Sequence, residues 1–348
     1  MTFDDYATHS AGWLDGSGHR ASFVISSRVR LARNLAEHPF TNQAPDSVKQ
    51  DIVDRVVDAA GSSPCEEMGY FDTSAQSDLE RQLFVERHLI SPALAKASGP
   101  RGVLVDECES SSVMINEEDH LRIQVILSGL QPAEAFEAAR SLERDLAGAL
   151  DYAASDRWGF LTACATNTGT GLRASTLIHL PALALTKEMD GVVRGVAQLG
   201  FAVRGIYGEG SESAGNLYQI SNQLTLGRTE STLLEGLSRV VAQVVECEVN
   251  ARQTLEREAK SQIEDKVWRA LGIMERARLL TSQELMNFSS AMRLGVDMNL
   301  LAGLETATIN DIMVSTQPSH LQHRAGKPLE PTERDILRAS VVRERLSA

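Results

Sequence analysis

The chain has 348 residues, 43% hydrophobic and 23% charged, an ordinary globular composition that excludes a wholly disordered polypeptide and leaves room for two or three domains of ~100–200 residues. Forty-seven acidic residues against 34 Lys and Arg give a formal net charge of -13. Such a surface repels nucleic acid and anionic membrane, so neither is expected as a partner, and any phosphate binding requires arginines gathered in one place. Cys65, Cys108, Cys164 and Cys247 lie far apart with no CxxC and no zinc spacing; a reducing compartment is expected and no protein-held metal. The start "MTFDDYATHS" lacks the plan of a signal peptide, and no apolar run approaches ~18 residues, so a cytoplasmic location is expected.

Residues 1–20 read as an N-terminal segment. "ASFVISSRVRLARN" (21–34) opens as a β-branched strand, and "DSVKQDIVDRVVDAAG" (46–61) has helical spacing. "GVLVDE" (102–107) and "SSVMINEEDHLRIQVILSG" (111–129) read as a strand and a hairpin. In the hairpin Leu121, Ile123, Val125 and Leu127 alternate with His120, Arg122 and Gln124, so Arg122 is expected to point away from the apolar face. A helix follows over 131–150, with Pro132 at its start. The spacing predicts a strand over 157–164, a helix from Thr186 to Gly200, and two strands within 201–227 joined by a glycine- and serine-rich loop.

Beyond about residue 229 the pattern is helical throughout. Leu234, Leu237, Val241, Val244 and Val245 recur at helical spacing, Thr281 and Glu284 form a capping box, and a last amphipathic helix begins near Thr332. The expected fold class is α+β: a largely antiparallel sheet flanked by helices over 21–252, then an all-helical domain over 253–348.

"CATNTGTGLR" (164–173) is neither a P-loop nor a dinucleotide fingerprint, and taken alone a short glycine-rich turn is more often punctuation than a phosphate site. It resembles, however, the "CP[ST]NxGTG[LM]R" signature of the phosphagen (ATP:guanido) kinases. Three further blocks of that family follow the expected order: "SSRVRLARN" (26–34), "NEEDHLR" (116–122) and "RGIYGEG" (204–210). The resemblance implies a phosphagen-kinase-like catalytic domain that uses ATP and Mg2+. It also implies a phosphate clamp of Arg28, Arg30, Arg122, Arg173 and Arg204, whose planar forks donate bidentately and stay charged. The nucleotide-binding segments would be Ser26, Ser27, Arg28, Val29 and Arg30; Arg173, Ala174, Ser175, Thr176 and Leu177; and Arg204, Gly205, Ile206, Tyr207, Gly208 and Glu209. His88 matches a residue packed against the base or sugar.

By the same resemblance Glu118 is the principal catalytic carboxylate, Glu209 the second, and Cys164 a thiolate that contacts the guanidinium without attacking it. Glu117 has at most a supporting role. "GEGSESAG" (208–215) reads as a lid. Two departures stand out: Ala165 replaces a usual proline, and Leu177 a second histidine, which makes the base pocket more apolar.

The "SSRVR" block begins at residue 26, without the helical domain that encloses small substrates in animal members, so an open site is expected. "NTGTGLRAS", "HLPAL", "QPSHLQ" and "RDILRA" resemble the bacterial branch of the family that phosphorylates arginine in proteins. Within "RDILRA" the resemblance assigns Arg334, Asp335, Arg338 and Ala339 to an allosteric phosphoarginine pocket. It further implies protein substrates with exposed arginine, a zinc-binding activator, a Clp-type ATPase/protease that degrades the marked proteins in stress response and quality control, and a homodimer. A kinase for free arginine or another small guanidine, and a non-catalytic phosphoarginine-binding adaptor, stay open as alternatives.

Overall fold

The computed structural model describes residues 3–61, 67–205 and 213–347. In chain order the elements are α1 (Phe3–Thr8), β1 (Val24–Arg33), α2 (Asp46–Gly61), β2 (Gly69–Asp72), α3 (Asp78–Glu86), α4 (Pro92–Lys96), β3 (Gly102–Val105), β4 (Ser111–Ile115), β5 (Leu121–Ser128) and α5 (Pro132–Ala147). Then come β6 (Ala154–Ser155), β7 (Gly159–Phe160), β8 (Leu172–His179), α6 (Pro181–Leu185), α7 (Met189–Gln198), β9 (Phe201–Gly205) and β10 (Leu217–Asn222). The rest is helical: α8 (Glu230–Glu258), α9 (Lys260–Arg276), α10 (Ser282–Asp297), α11 (Thr306–Ser315), α12 (Pro318–Ala325) and α13 (Pro331–Ser347).

Eight strands form one sheet in the order β2-β3-β4-β5-β1-β8-β10-β9, and every pairing is antiparallel. The α+β class expected from the sequence is the observed one. β1 sits in the interior, with Arg30 opposite Gln124 on β5 and Arg173 on β8. Because side chains alternate along a strand, Val29, Leu31, Ile123, Val125, Leu172 and Ala174 share the face buried against the helices α2, α5 and α8. Each such aliphatic side chain contributes about 1.5–3 kcal/mol.

The opposite face is covered only in part. At the β3–β4 edge Tyr6, Leu83 and Phe84 pack over Val103, Val105 and Met114. At the other end Trp13, Met286 and Met313 cover Ile25, Ile126 and Leu217. Double coverage explains why Gln124, Ile126 and Ser128 are buried alongside Val125, where the sequence pattern alone suggests one wet face. Between the two covers the described residues leave the sheet open, and the arginines stand there.

Two expected elements differ. The strand over 157–164 shrinks to Gly159–Phe160, because hydroxyl bonding and a tight turn take the backbone elsewhere: Thr162 Oγ1 donates to the Cys164 carbonyl at 2.7 Å, and Asn167 N to the same oxygen at 2.9 Å. The helix expected from Thr186 begins at Met189; Thr186 instead closes α6, its Oγ1 donating to the Ala182 carbonyl at 3.0 Å, and Lys187 turns through φ 61°.

α8 runs 29 residues, roughly 44 Å at 1.5 Å per residue. Its first turns cover the sheet and its last reach the helical unit, so that Leu255 packs against both cores. The expected division after residue 252 falls inside it. The sheet and helical units are also joined by buried polar contacts. Glu86 accepts from Ser319 N at 3.0 Å and from His320 Nδ1 at 3.0 Å. Arg252 bridges Glu248 at 2.8 Å and Asp297 at 3.0 Å. Among the described residues no helix is long and apolar enough to cross a membrane.

Candidate active site

Arg28 and Arg30 lie two apart on β1 and therefore on one face. The register brings Arg173 of β8 beside Arg30, Arg122 of β5 beside Ala32, and Gln219 of β10 beside Arg204 of β9. Together with Glu118, Cys164, Asn167 and Gly205 they line a cavity of about 510 Å³. The five arginines that the family signature distributes over the sequence are thus neighbours on one sheet face.

Burial and mutual repulsion act on Arg28, Arg30 and Arg173, whereas Arg122 is paired with Glu117 and Glu118. Burial, then Arg173 and Arg122, push the Arg28 guanidinium down to about 10. Burial and the same neighbours, with Arg28, hold Arg30 well below the usual arginine range. Arg173 is lowered by burial and by Arg204 and Arg122. Nε of Arg30 and Nε of Arg173 are buried without a hydrogen-bond partner among the described residues. Buried donors left unpaired cost ~1–3 kcal/mol each; an oligophosphate supplies both the acceptors and the countercharge. The cavity therefore fits the nucleotide phosphates.

The carboxylates stand on the β4–β5 hairpin. Asn116 adopts φ 58° there and donates to the carbonyls of Lys49 at 2.8 Å and Pro100 at 3.0 Å. Asp119 accepts at Oδ1 from Asn34 Nδ2 and from Ala163 N, both at 2.7 Å, which ties the hairpin to the signature loop. Glu118 projects with 43% of its side chain exposed; its Oε2 accepts from Arg122 Nη2 at 3.2 Å and Asn167 Nδ2 at 3.4 Å. Glu117 is buried, accepting from Ser91 Oγ at 2.6 Å, Arg122 Nη1 at 2.8 Å and the Glu118 amide at 2.8 Å. Cys164 Sγ lies 3.0 Å from Thr166 Oγ1.

A smaller cleft adjoins the cavity through Arg28 and Gln219, which line both; Trp13, Ser26, His88, Ile126, Ser175 and Leu177 complete it. His88 takes φ 62° and meets the Trp13 ring edge-on at 5.4 Å. Burial, then Arg28, lower it to about 4, so it is neutral at pH 7 and offers an uncharged ring.

Not every expected residue faces this site. Ser26, Ser175 and Leu177 do; Val29 and Ala174 lie in the core on the far side. Ser27 donates to the Gly129 carbonyl at 2.8 Å and accepts from Gln131 N at 2.9 Å, orienting the start of α5. Thr176 alternates onto the same far face and is buried. Ile206, Tyr207, Gly208 and Glu209, with most of the expected lid, lie outside the described residues. Arg334, Asp335, Arg338 and Ala339 sit on α13 in the helical unit. Arg338 is buried, donating to the carbonyls of Thr316 at 3.1 Å and Leu280 at 2.8 Å and to Asp335 at 2.5 Å; Arg334 donates to the Leu329 carbonyl at 3.0 Å, and Ala339 belongs to the helical core.

Sequence reasoning passed over Gln219, Asp119, Ser91 and Trp13. Gln219 was within reach, since a hairpin over 201–227 with alternating faces places it opposite Arg204. Ser91 and Trp13 carry no local signal, because only tertiary packing brings them to the site.

Residues 50–251 match the family described as ATP:guanido phosphotransferase, C-terminal catalytic domain, and residues 260–348 match the protein-arginine kinase McsB C-terminal domain. The chain is 45% identical over 335 residues to a protein-arginine kinase of Halothermothrix orenii, covering 96% of each. It is 44% identical over 340 residues to that of Moorella thermoacetica, covering 96% of this chain and 97% of the relative. A crystal structure of lombricine kinase superposes with a TM-score of 0.60 at 23% identity, covering 71% of this chain and 72% of that one, a likeness of fold. With both family regions matched and this identity sustained over nearly its whole length, the chain belongs to the protein-arginine kinases of the ATP:guanido phosphotransferase family.

Proposed function

We propose that this protein transfers the γ-phosphoryl group of ATP to the guanidinium of arginine side chains in proteins. The observation that carries the reading is the cavity itself: five arginines, two with buried Nε donors unpaired among the described residues, face Glu118 and Cys164. Arg28, Arg30, Arg122, Arg173 and Arg204 hold the phosphates and offset the charge of the transferring group, where positioning and electrostatics provide most of the catalysis. A guanidinium with a pKa above ~12 is a poor nucleophile while protonated. Glu118 aligns it and takes its proton as the N–P bond forms and the bond to the ADP oxygen breaks. Cys164 supports the acceptor from the signature loop, and Glu209 is its second carboxylate. His88, beside Trp13 and Leu177, packs on the base.

Magnesium, carried with the nucleotide, would offset negative charge on the phosphates beside Arg28, Arg30, Arg122, Arg173 and Arg204. The domain division at 252/253, a phosphoarginine pocket at Arg334, Asp335, Arg338 and Ala339, a zinc-binding activator, a Clp-type ATPase/protease and a homodimer belong to the same reading; the match of residues 260–348 to the McsB C-terminal domain supports it.

Incubation with ATP and an unfolded arginine-containing protein, followed by mass spectrometry under non-acidic conditions, should show phosphoarginine. Label confined to free arginine, or only acid-stable label on serine and threonine, overturns the proposal.

A further inference from the structure

The signature loop is flanked on two sides by other loops. A Cβ placed on Gly159 would lie 2.5 Å from the Gly169 carbonyl oxygen, and one placed on Gly169 would lie 3.0 Å from the Cα of Leu226. The β6–β7 hairpin, the signature loop and the 223–228 segment after β10 therefore stack backbone to backbone. Thr225 fixes this arrangement: its Oγ1 lies 2.8 Å and 2.7 Å from the carbonyl oxygens of Thr166 and Thr168. Asn222 Nδ2 holds the Leu224 carbonyl at 3.2 Å from within the sheet.

On either side of Thr225 stand Leu224, 60% exposed, and Leu226, 48% exposed; Trp158, next to Gly159, is 43% exposed. These are three of the nine large apolar side chains exposed among the described residues. A single exposed leucine requires no account. Three such side chains on loops packed against the one whose Cys164, Thr166 and Asn167 line the cavity are different, because the local backbone is held by hydrogen bonds while these apolar groups are exposed.

We propose that Leu224, Leu226 and Trp158 form an apolar exosite that binds hydrophobic side chains flanking the acceptor arginine in an extended polypeptide. This rests on the reading of the protein as a protein-arginine kinase. It specifies which proteins are chosen: unfolded chains, which display apolar residues beside their charged ones, over folded surfaces, which bury them. The acidic surface attracts basic polypeptides at long range but does not separate folded from unfolded ones; short-range burial of apolar groups does.

The test uses two unstructured peptides of equal length and charge, each with one central arginine, flanked at the same positions by Leu, Val and Phe in one and by Ser, Thr and Asn in the other. The unmodified protein should phosphorylate the first with a kcat/KM about tenfold higher, as expected for covering one or two aliphatic side chains. The double variant Leu224→Ser/Leu226→Ser should bring the two within about twofold by lowering the value for the apolar-flanked peptide. Equal treatment of both peptides by the unmodified protein overturns the exosite while leaving protein-arginine phosphorylation in place. A preference that persists in the double variant, or an equal loss on both peptides, also overturns it. Phosphorylation of free arginine with neither peptide touched refutes the underlying reading instead.

Discussion

Arg122 is shared between two carboxylates that differ in exposure. Glu117 holds one guanidinium nitrogen from the interior and is itself fixed by Ser91, whereas Glu118 meets the other nitrogen at the cavity wall. The buried acid sets the position of Arg122, and the exposed one is free to take a proton. Replacing Glu118 by Gln keeps shape and hydrogen bonding but removes the proton acceptor; kcat should fall by about 10²–10⁴, with ATP affinity nearly unchanged by equilibrium binding. An unaltered kcat takes Glu118 out of the acceptor role. Arg30→Ala removes a guanidinium whose buried Nε has no partner among the described residues. Its kcat/KM for ATP should fall by roughly 10²–10³, comparable to losing one oxyanion donor, and a change under threefold in steady-state kinetics would contradict the clamp.

At the scale of the element, the signature loop depends on a backbone that only glycine tolerates. Gly171 takes φ 64°, and a Cβ there would lie 2.5 Å from Arg33 Nη1 and 2.6 Å from the Ala32 carbonyl oxygen. Gly171→Ala should therefore cost about 1–3 kcal/mol, read as a lower denaturation midpoint, and should depress kcat by displacing Cys164 and Asn167; a stable, fully active variant would show that the loop does not need this turn. Such turns are visible in the sequence only as a glycine pattern. The period-two spacing of Arg28 and Arg30 makes their shared face legible from the residues alone, and the capping box at Thr281 and Glu284 is present as expected. What the sequence withholds is strand order. Nothing local tells β1 to pair with β5 and β8 across about ninety and one hundred and fifty residues, and it is that pairing which brings Arg122 and Arg173 to either side of it. The over-long strand expected at 157–164 fails for a related reason, since side-chain hydroxyls outcompete the local β pattern.

Across the whole molecule, the sheet and helical units are joined by buried polar groups as well as by the apolar cluster in which Met286 and Met313 cover Ile25, Ile126 and Leu217. Glu86, at the end of α3, receives the first amides of α12 and His320, while Arg87 pairs with Glu109 at 2.5 Å and donates to the His9 carbonyl at 2.8 Å. Breaking one partner of a buried charged network strands the others, so Glu86→Ala should destabilise by about 3 kcal/mol or more, seen as a lower urea midpoint. A change within about 0.5 kcal/mol, the ordinary surface range, would mean that this junction contributes nothing to stability. The same burial makes the protein acid-sensitive. His88, His120, His179 and His320 are all held below the usual histidine range, burial being the largest cause in each. Between the unfolded value near 6.5 and the lower folded value, the unfolded chain binds more protons than the native one, so stability rises with pH through that window. The stability is fully present above about pH 6.5 and is lost as the pH falls toward the folded values. For His88, with its folded value about 4, the span is worth roughly 3 kcal/mol. Glu109, Glu248 and Asp297 are raised by burial and act in the opposite sense: the native state favours their protonated forms, which offsets part of the loss as the pH falls. Unfolding free energies measured from pH 7 to 4.5 should therefore decline, and His88→Gln should make that decline shallower whatever its effect at pH 7. A slope identical to that of the unmodified protein would place His88 in a hydrated, ordinary environment and remove it from the uncharged wall of the cleft it shares with Trp13.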